Sequence, residues 1–210
     1  MNIRSKIFFA MLTLIAMIFC KPASADPIIT FSIDNGLTFS NTFVVEAGSS
    51  TVIDIFLIDT AGTILADEDL LGFGLRGATT TSSGVISSAA VDDIFDFKDS
   101  DTFTATGIEW EASAFSNPAP SGPNVELGSF QFDSTGDGTS VFNFTDRTPG
   151  TTSAEVNWLT GLGNELDQRI FPVGTGSYQL NIVAGVPEPG SMTVLLLVGV
   201  AGTLRRRRKS

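Results

Sequence analysis

Histidine is absent from this 210-residue chain, and cysteine and tyrosine occur once each. Without histidine there is no imidazole base, no Ser-His-Asp or Cys-His arrangement, and none of the usual zinc sites. The single cysteine, Cys20, sits in an N-terminal segment with the features of a leader. Its removal leaves no disulfide, no thiolate nucleophile and no cysteine metal ligand. Basic residues are scarce in the centre. Residues 26–185 hold only Arg76, Lys98, Arg147 and Arg169 against 22 acids, a net of −18 where the whole chain carries −11. A surface so acidic repels nucleic acid and anionic lipid, attracts divalent cations or basic partners, and keeps an exported protein soluble. Long apolar runs are also missing from the centre; the two in the chain lie at its ends.

The N-terminal run reads as a secretory signal peptide over residues 1–25. Arg4 and Lys6 form the positive region, residues 7–20 the apolar region, and Ala23-Ser24-Ala25 the small-residue cleavage site, with Ala23 and Ala25 at the recognised positions. Cys20 raises a lipoprotein alternative, but the preceding Phe19 is larger than the small residue a lipidation site requires.

The C-terminal segment, residues 186–210, has three parts. Val186-Pro187-Glu188-Pro189-Gly190 comes first, and its two prolines, lacking backbone donors, hold the segment extended and accessible. The uncharged run 192–204 follows. As a helix it rises roughly 20 Å, against a hydrocarbon core of about 30 Å, and so makes a short span. Arg205, Arg206, Arg207, Arg208 and Lys209 close the chain as a cytoplasmic anchor. In this order and at this place, these residues resemble the PEP-CTERM sorting signal of Gram-negative bacteria. The resemblance implies an exosortase-type processing enzyme acting near Val186, Pro187, Glu188 and Pro189. It also implies a precursor held in the inner membrane by its C-terminal helix, and a product destined for the cell surface or extracellular matrix. An ordinary C-terminal tail anchor is the alternative.

The centre, residues 26–185, is long enough for one domain with its own core. Short runs with period-two alternation predict strands at 28–33, 38–45, 51–58, 71–76, 85–91, 102–114, 127–132, 139–144, 154–158 and 177–183. Ile53, Ile55 and Leu57 share a face, as do Phe130 and Phe132, Phe142 and Phe144, and Tyr178, Leu180 and Ile182. Residues 63–71 carry the one helical hint, and the three prolines of 115–124 predict a loop. The fold class expected is all-β: a single antiparallel sandwich of about nine to ten strands, flanked by the signal peptide and a short transmembrane helix. Residues 44–57, then Leu71-Gly72-Phe73-Gly74-Leu75-Arg76, and later 127–132 resemble cohesin-like and carbohydrate-binding-module-like ectodomains. That resemblance implies a jelly-roll sandwich used for adhesion and carries over no functional residue.

Three candidate sites follow from residue type. Glu109 and Glu111, two apart on a strand, share a face as a carboxylate acid/base pair would in a glycosidase, or as a solvated outer face would. Asp92, Asp93, Asp96, Asp99 and Asp101 offer the hard oxygen ligands that Ca2+ takes, or else form a solvated acidic loop. Asp133-Ser134-Thr135-Gly136-Asp137-Gly138 begins like a calcium loop, but Phe144 stands where a bidentate glutamate belongs, so a hairpin turn is the expectation. Among the aromatics, Trp110 and Tyr178 keep apolar company and read as core, while Trp158 beside Asn157 reads as the exposed one and the candidate glycan contact. The expected whole is a structural or adhesive exported protein without catalytic activity, associating with exopolysaccharide or surface proteins. The alternatives are a carbohydrate-binding module and a glycosidase.

Overall fold

The computed structural model describes residues 26–62, 64–115, 119–147, 157–172 and 176–185. The expected signal peptide (1–25) and sorting segment (186–210) lie outside them.

Among the described residues, eleven strands form two facing sheets. In chain order they are β1 (Ile28–Ser32), β2 (Thr42–Glu46), β3 (Ser50–Ile58), β4 (Leu70–Thr81), β5 (Gly84–Val91), β6 (Phe97–Thr104), β7 (Gly107–Ser113), β8 (Asn124–Ser134), β9 (Gly138–Asp146), β10 (Leu159–Thr160) and β11 (Tyr178–Gly185). Two short helices join them, α1 (Ile64–Glu68) and α2 (Asp167–Ile170). The smaller sheet has the order β1-β3-β8-β5, and the larger β2-β11-β9-β4-β7-β6, with β10 beside β4. All pairings are antiparallel except β2 with β11. The last strand is thus inserted between β9 and β2, which departs from the purely antiparallel sandwich expected from sequence.

Alternation explains which face each strand buries. Ile53, Ile55 and Leu57 of β3 and Phe142 and Phe144 of β9 are fully enclosed, as their spacing requires. In β8 the alternation slips: Val125 and Leu127 point inward, and so do Phe130 and Phe132. A bulge reconciles the two phases, because Ile55 pairs with Gly128 and the next residue, Phe56, pairs with Glu126. The position needs glycine: Gly128 has φ +154°, and a Cβ there would lie 2.4 Å from the Ala90 carbonyl oxygen.

Two groups of rings fill the core. Phe31, Phe130, Phe132, Phe142 and Phe144 pack between the sheets, with centroids 4.9 to 6.5 Å apart. Phe95, Phe73, Trp158, Phe171 and Tyr178 form a chain of contacts at 4.8 to 5.7 Å. At one side the sandwich is nearly closed. Ile86 N–H donates to the Ala105 carbonyl at 3.0 Å, and the Lys98 ammonium donates to the Val91 carbonyl at 2.9 Å. Val91 N–H donates in turn to the Asp101 carboxylate. Side chains of β6 thereby occupy backbone groups at the edge of β5 that would otherwise invite another strand.

Three strand expectations change. Residues 102–114 are not one strand but the second half of β6, a two-residue turn at Ala105 and Thr106, and β7. Residues 38–45 are regular only from Thr42, with Ser40 making a single bridge to Phe31. Of 154–158, the described Asn157 and Trp158 precede the strand, which is β10. The helical hint is met by α1, whose first N–H groups, on Ile64 and Leu65, are capped by the buried Asp59 carboxylate at 2.5 and 3.1 Å.

Candidate functional site

Val186, Pro187, Glu188, Pro189, Arg205, Arg206, Arg207, Arg208, Lys209, Ala23 and Ala25 all lie outside the described residues. Among the described residues, no helix is long and apolar enough to cross a membrane.

Glu109 and Glu111 do share the outer face of β7, but not as an acid/base pair. Arg147, which follows β9, reaches both: its Nε donates to Glu109 Oε1 at 3.0 Å, and its Nη1 pairs with Glu111 Oε2. One guanidinium thus ties both carboxylates to the chain after β9. A glycosidase needs its two carboxyl groups free to face the sugar from either side of the scissile bond, and here both are engaged by one arginine. Arg76 of β4 stands across from Glu109 in register, so the strand face carries two acids and two bases.

The five aspartates do not converge. Asp92 turns back to accept Ile94 N–H at 2.9 Å, and Asp93 projects into solvent and pairs with Lys98 at 3.0 Å. Asp96 follows Phe95, whose ring is pulled into the core, while Asp99 sits at a register shift of β6 and Asp101 holds the edge of β5. Among the described residues, no three Asp, Glu, His or Cys side chains are gathered where a metal ion could be held. Asp92, Asp93, Asp96, Asp99 and Asp101 flank the buried Phe95 and are not gathered as the calcium reading expects.

Residues 133–138 form no hairpin either. β8 belongs to the smaller sheet and β9 to the larger, so this segment crosses between sheets. Thr135 fastens the crossing by donating from both N–H and hydroxyl to the Ser83 carbonyl, at 2.8 and 3.0 Å.

Trp158 is the clearest reversal. It is 0% exposed, packs between Phe73 and Phe171, and donates its indole N–H to the Gly74 carbonyl at 2.8 Å. It offers no platform to a sugar. Asn157 and the Thr160-Gly161 turn gave no sign that the chain here runs alongside β4, turning the indole inward. Trp110 is buried as expected, and Tyr178 packs against the core with its hydroxyl donating to the Ile170 carbonyl at 2.9 Å.

Two features had no signal in the sequence. The first is a set of acids at one end of the smaller sheet's outer face. Glu126 of β8 is pushed up to about 6, first by burial and then by the charges of Asp54 and Asp92. Burial also raises Asp54, against a hydrogen bond from the Asn35 backbone. The loop 33–41 crosses above them, its Phe39 ring meeting the Phe56 ring edge-on at 5.3 Å. The second is the open remainder of that face. Val52 is 50% exposed and Val85 38%, and Ser50, Ser87 and Gln131 stand around Asp133. Hydrogen bonds from Ser50, Ser87 and Gln131 hold the Asp133 carboxyl below its ordinary range. The result is a pre-ordered patch with an apolar centre and an acidic margin.

Comparison with solved structures identifies the fold. A chain of a type I cohesin–dockerin complex from Clostridium thermocellum aligns over 76% of this chain and 99% of its own, at 8% identity, with a TM-score of 0.50. The sixth cohesin of scaffoldin B from Acetivibrio cellulolyticus, in complex with a Cel5 dockerin variant, aligns over 76% and 98%, at 7% identity, with a TM-score of 0.50. No family model matches the sequence, and no curated protein matches it. The sandwich is of the cohesin type.

Proposed function

We propose that this protein is an exported structural or adhesive module that docks a protein partner at the cell surface or in an exopolysaccharide matrix, without chemistry of its own. The observation that carries the reading is the cohesin-type sandwich with an open, pre-ordered outer face on its smaller sheet. The solved neighbours are cohesins in complex with dockerins, which makes a protein partner the natural expectation for this fold. Val52 and Val85 supply the apolar centre, while Asp133 and Glu126 select a partner with basic groups at its margin. The clamping of Glu109 and Glu111 by Arg147 argues against the glycosidase alternative.

Delivery rests on the two ends. The segment 1–25 exports the chain, the run 192–204 holds it in the membrane as a precursor, and an exosortase-type enzyme processes it near Pro187 to Pro189. Deletion of Pro187, Glu188 and Pro189 is expected to leave uncut precursor in the inner membrane; normal processing of that deletion refutes the sorting reading. For docking, a photo-crosslinker placed at Val52 on the surface of the producing cells is expected to give one discrete adduct, lost when Val85→Arg is added. No adduct, or an adduct indifferent to Val85→Arg, refutes it.

A further inference from the structure

The outer face of the larger sheet differs from the rest of this acidic domain. Between Arg76 on β4 and Glu46 on β2, the outward side chains of β9, β11 and β2 include Val141 and Asn143, then Gln179, Asn181 and Val183, then Val44. None is charged. The flanking charges are Arg76 at one border and Glu46 at the end of β2. In a segment with 22 acids, successive rows across four strands without a charge are a departure that solubility does not explain.

The register arranges these side chains in rows. Ala78, Asn143 and Gln179 lie side by side, as do Val141, Asn181 and Thr42, and then Thr139, Val183 and Val44. Three amides therefore cluster in the middle, since Gln179 is opposite Asn143 and Asn181 is opposite the adjacent Val141. The amides are under-used: Gln179 Nε2 reaches Asn143 Oδ1 only at 3.4 Å, and among the described residues Asn181 makes no side-chain hydrogen bond. Val44 is 77% exposed and Val183 36%, so apolar surface stands open beside them.

We infer that this face binds a neutral polysaccharide. Side-chain amides offer donors and acceptors together, which is what vicinal hydroxyls of a sugar require. The valines and Ala78 offer contact to the C–H faces of the rings. Charge decides the class of glycan: the net −18 of the segment excludes an anionic polymer, while the neutral face presents no opposing charge to a neutral one. Size decides against a second copy of this chain. Four strands about 4.8 Å apart and three rows of outward residues about 7 Å apart cover roughly 400 Å², well under the ~800 Å² per partner of a stable protein interface. A few sugar rings fit within that area, and a polymer gains further strength by engaging many copies. This site is separate from the Val52 face, so either reading can fail without the other.

The test is affinity electrophoresis of the full chain in a zwitterionic detergent without sugar headgroups, through gels containing dextran, pullulan, mannan, xyloglucan or alginate. Retardation by at least one of the neutral glycans and not by alginate is expected. Gln179→Ala with Asn181→Ala should weaken it at least tenfold, and Asn164→Ala, at an exposed amide away from both faces, should leave it unchanged; unaltered thermal melts establish that the variants are folded. The inference is overturned if no neutral glycan retards the chain, if alginate retards it equally, or if the double variant binds as well as the parent. It is also overturned if sedimentation shows self-association that the double variant abolishes, for the face then belongs to a second copy.

Discussion

Glu126 gives a sharp test of the electrostatics at the end of the smaller sheet. Its carboxyl is pushed from an ordinary 4.5 to about 6, by burial first and by Asp54 and Asp92 second. The folded state therefore holds the Glu126 proton more tightly than the unfolded chain does. Below about pH 4.5 both states are protonated and no cost arises. Between about 4.5 and 6 the unfolded chain releases its proton first, so native stability falls as pH rises; above about 6 the whole cost is present. Ionising the group in place costs at most about 2 kcal/mol, and because solvent reaches part of the side chain the expected figure is about 1 kcal/mol. Glu126→Gln keeps the shape and removes the charge. Urea unfolding followed through the two buried tryptophans, Trp110 and Trp158, reads the outcome directly. At pH 7.5 the variant should be more stable by about 1 kcal/mol, a midpoint shift of about 0.5 M urea; well below the ordinary 4.5, at about pH 3.5, the difference should vanish. An equal effect at both pH values, or a loss of stability at pH 7.5, would refute the assignment of the cost to the ionised carboxylate.

Two further outcomes check the packing. Gly128→Ala should lower stability by about 2–3 kcal/mol, because the bulge needs its positive φ and a Cβ meets the Ala90 carbonyl; the change is read by urea melts. Trp158→Ala should cost about 3–5 kcal/mol as a core truncation. Its glycan retardation, measured below its melting temperature, should stay within twofold of the parent, because the indole faces Phe73 and Phe171 and not solvent.

The strands were legible wherever alternation was clean. Ile53, Ile55 and Leu57, Phe142 and Phe144, and Leu180 and Ile182 all turned inward as their spacing demands, because burial of one face of a pleated strand is a local constraint. The misreadings share a cause. Residues 102–114 looked like one strand since Ala105 and Thr106 carry no strong turn chemistry; the reversal there comes from the pairing of β6 with β7. The segment 133–138 looked like a hairpin because turn residues stood between two strands, but hairpin and sheet-to-sheet crossing have the same local chemistry. Trp158 looked exposed from its polar neighbours, though its burial is decided by β4, more than eighty residues earlier in the chain.

Composition by itself determined much about this protein. The absence of histidine and the near-absence of cysteine restrict its chemistry, the net −18 of residues 26–185 restricts its partners, and alternation makes it β. The expectation of sorting also rests wholly on linear motifs at the two ends. Which face each strand presents to which neighbour was decided only by tertiary structure. Folding brought Arg147 between Glu109 and Glu111, scattered the five aspartates around Phe95, raised Glu126 beside Asp54 and Asp92, and ranged Asn143, Gln179 and Asn181 on one uncharged face. Each of these depends on strand pairing between distant residues, and pairing follows from the packing of the whole core, which no short window of sequence contains.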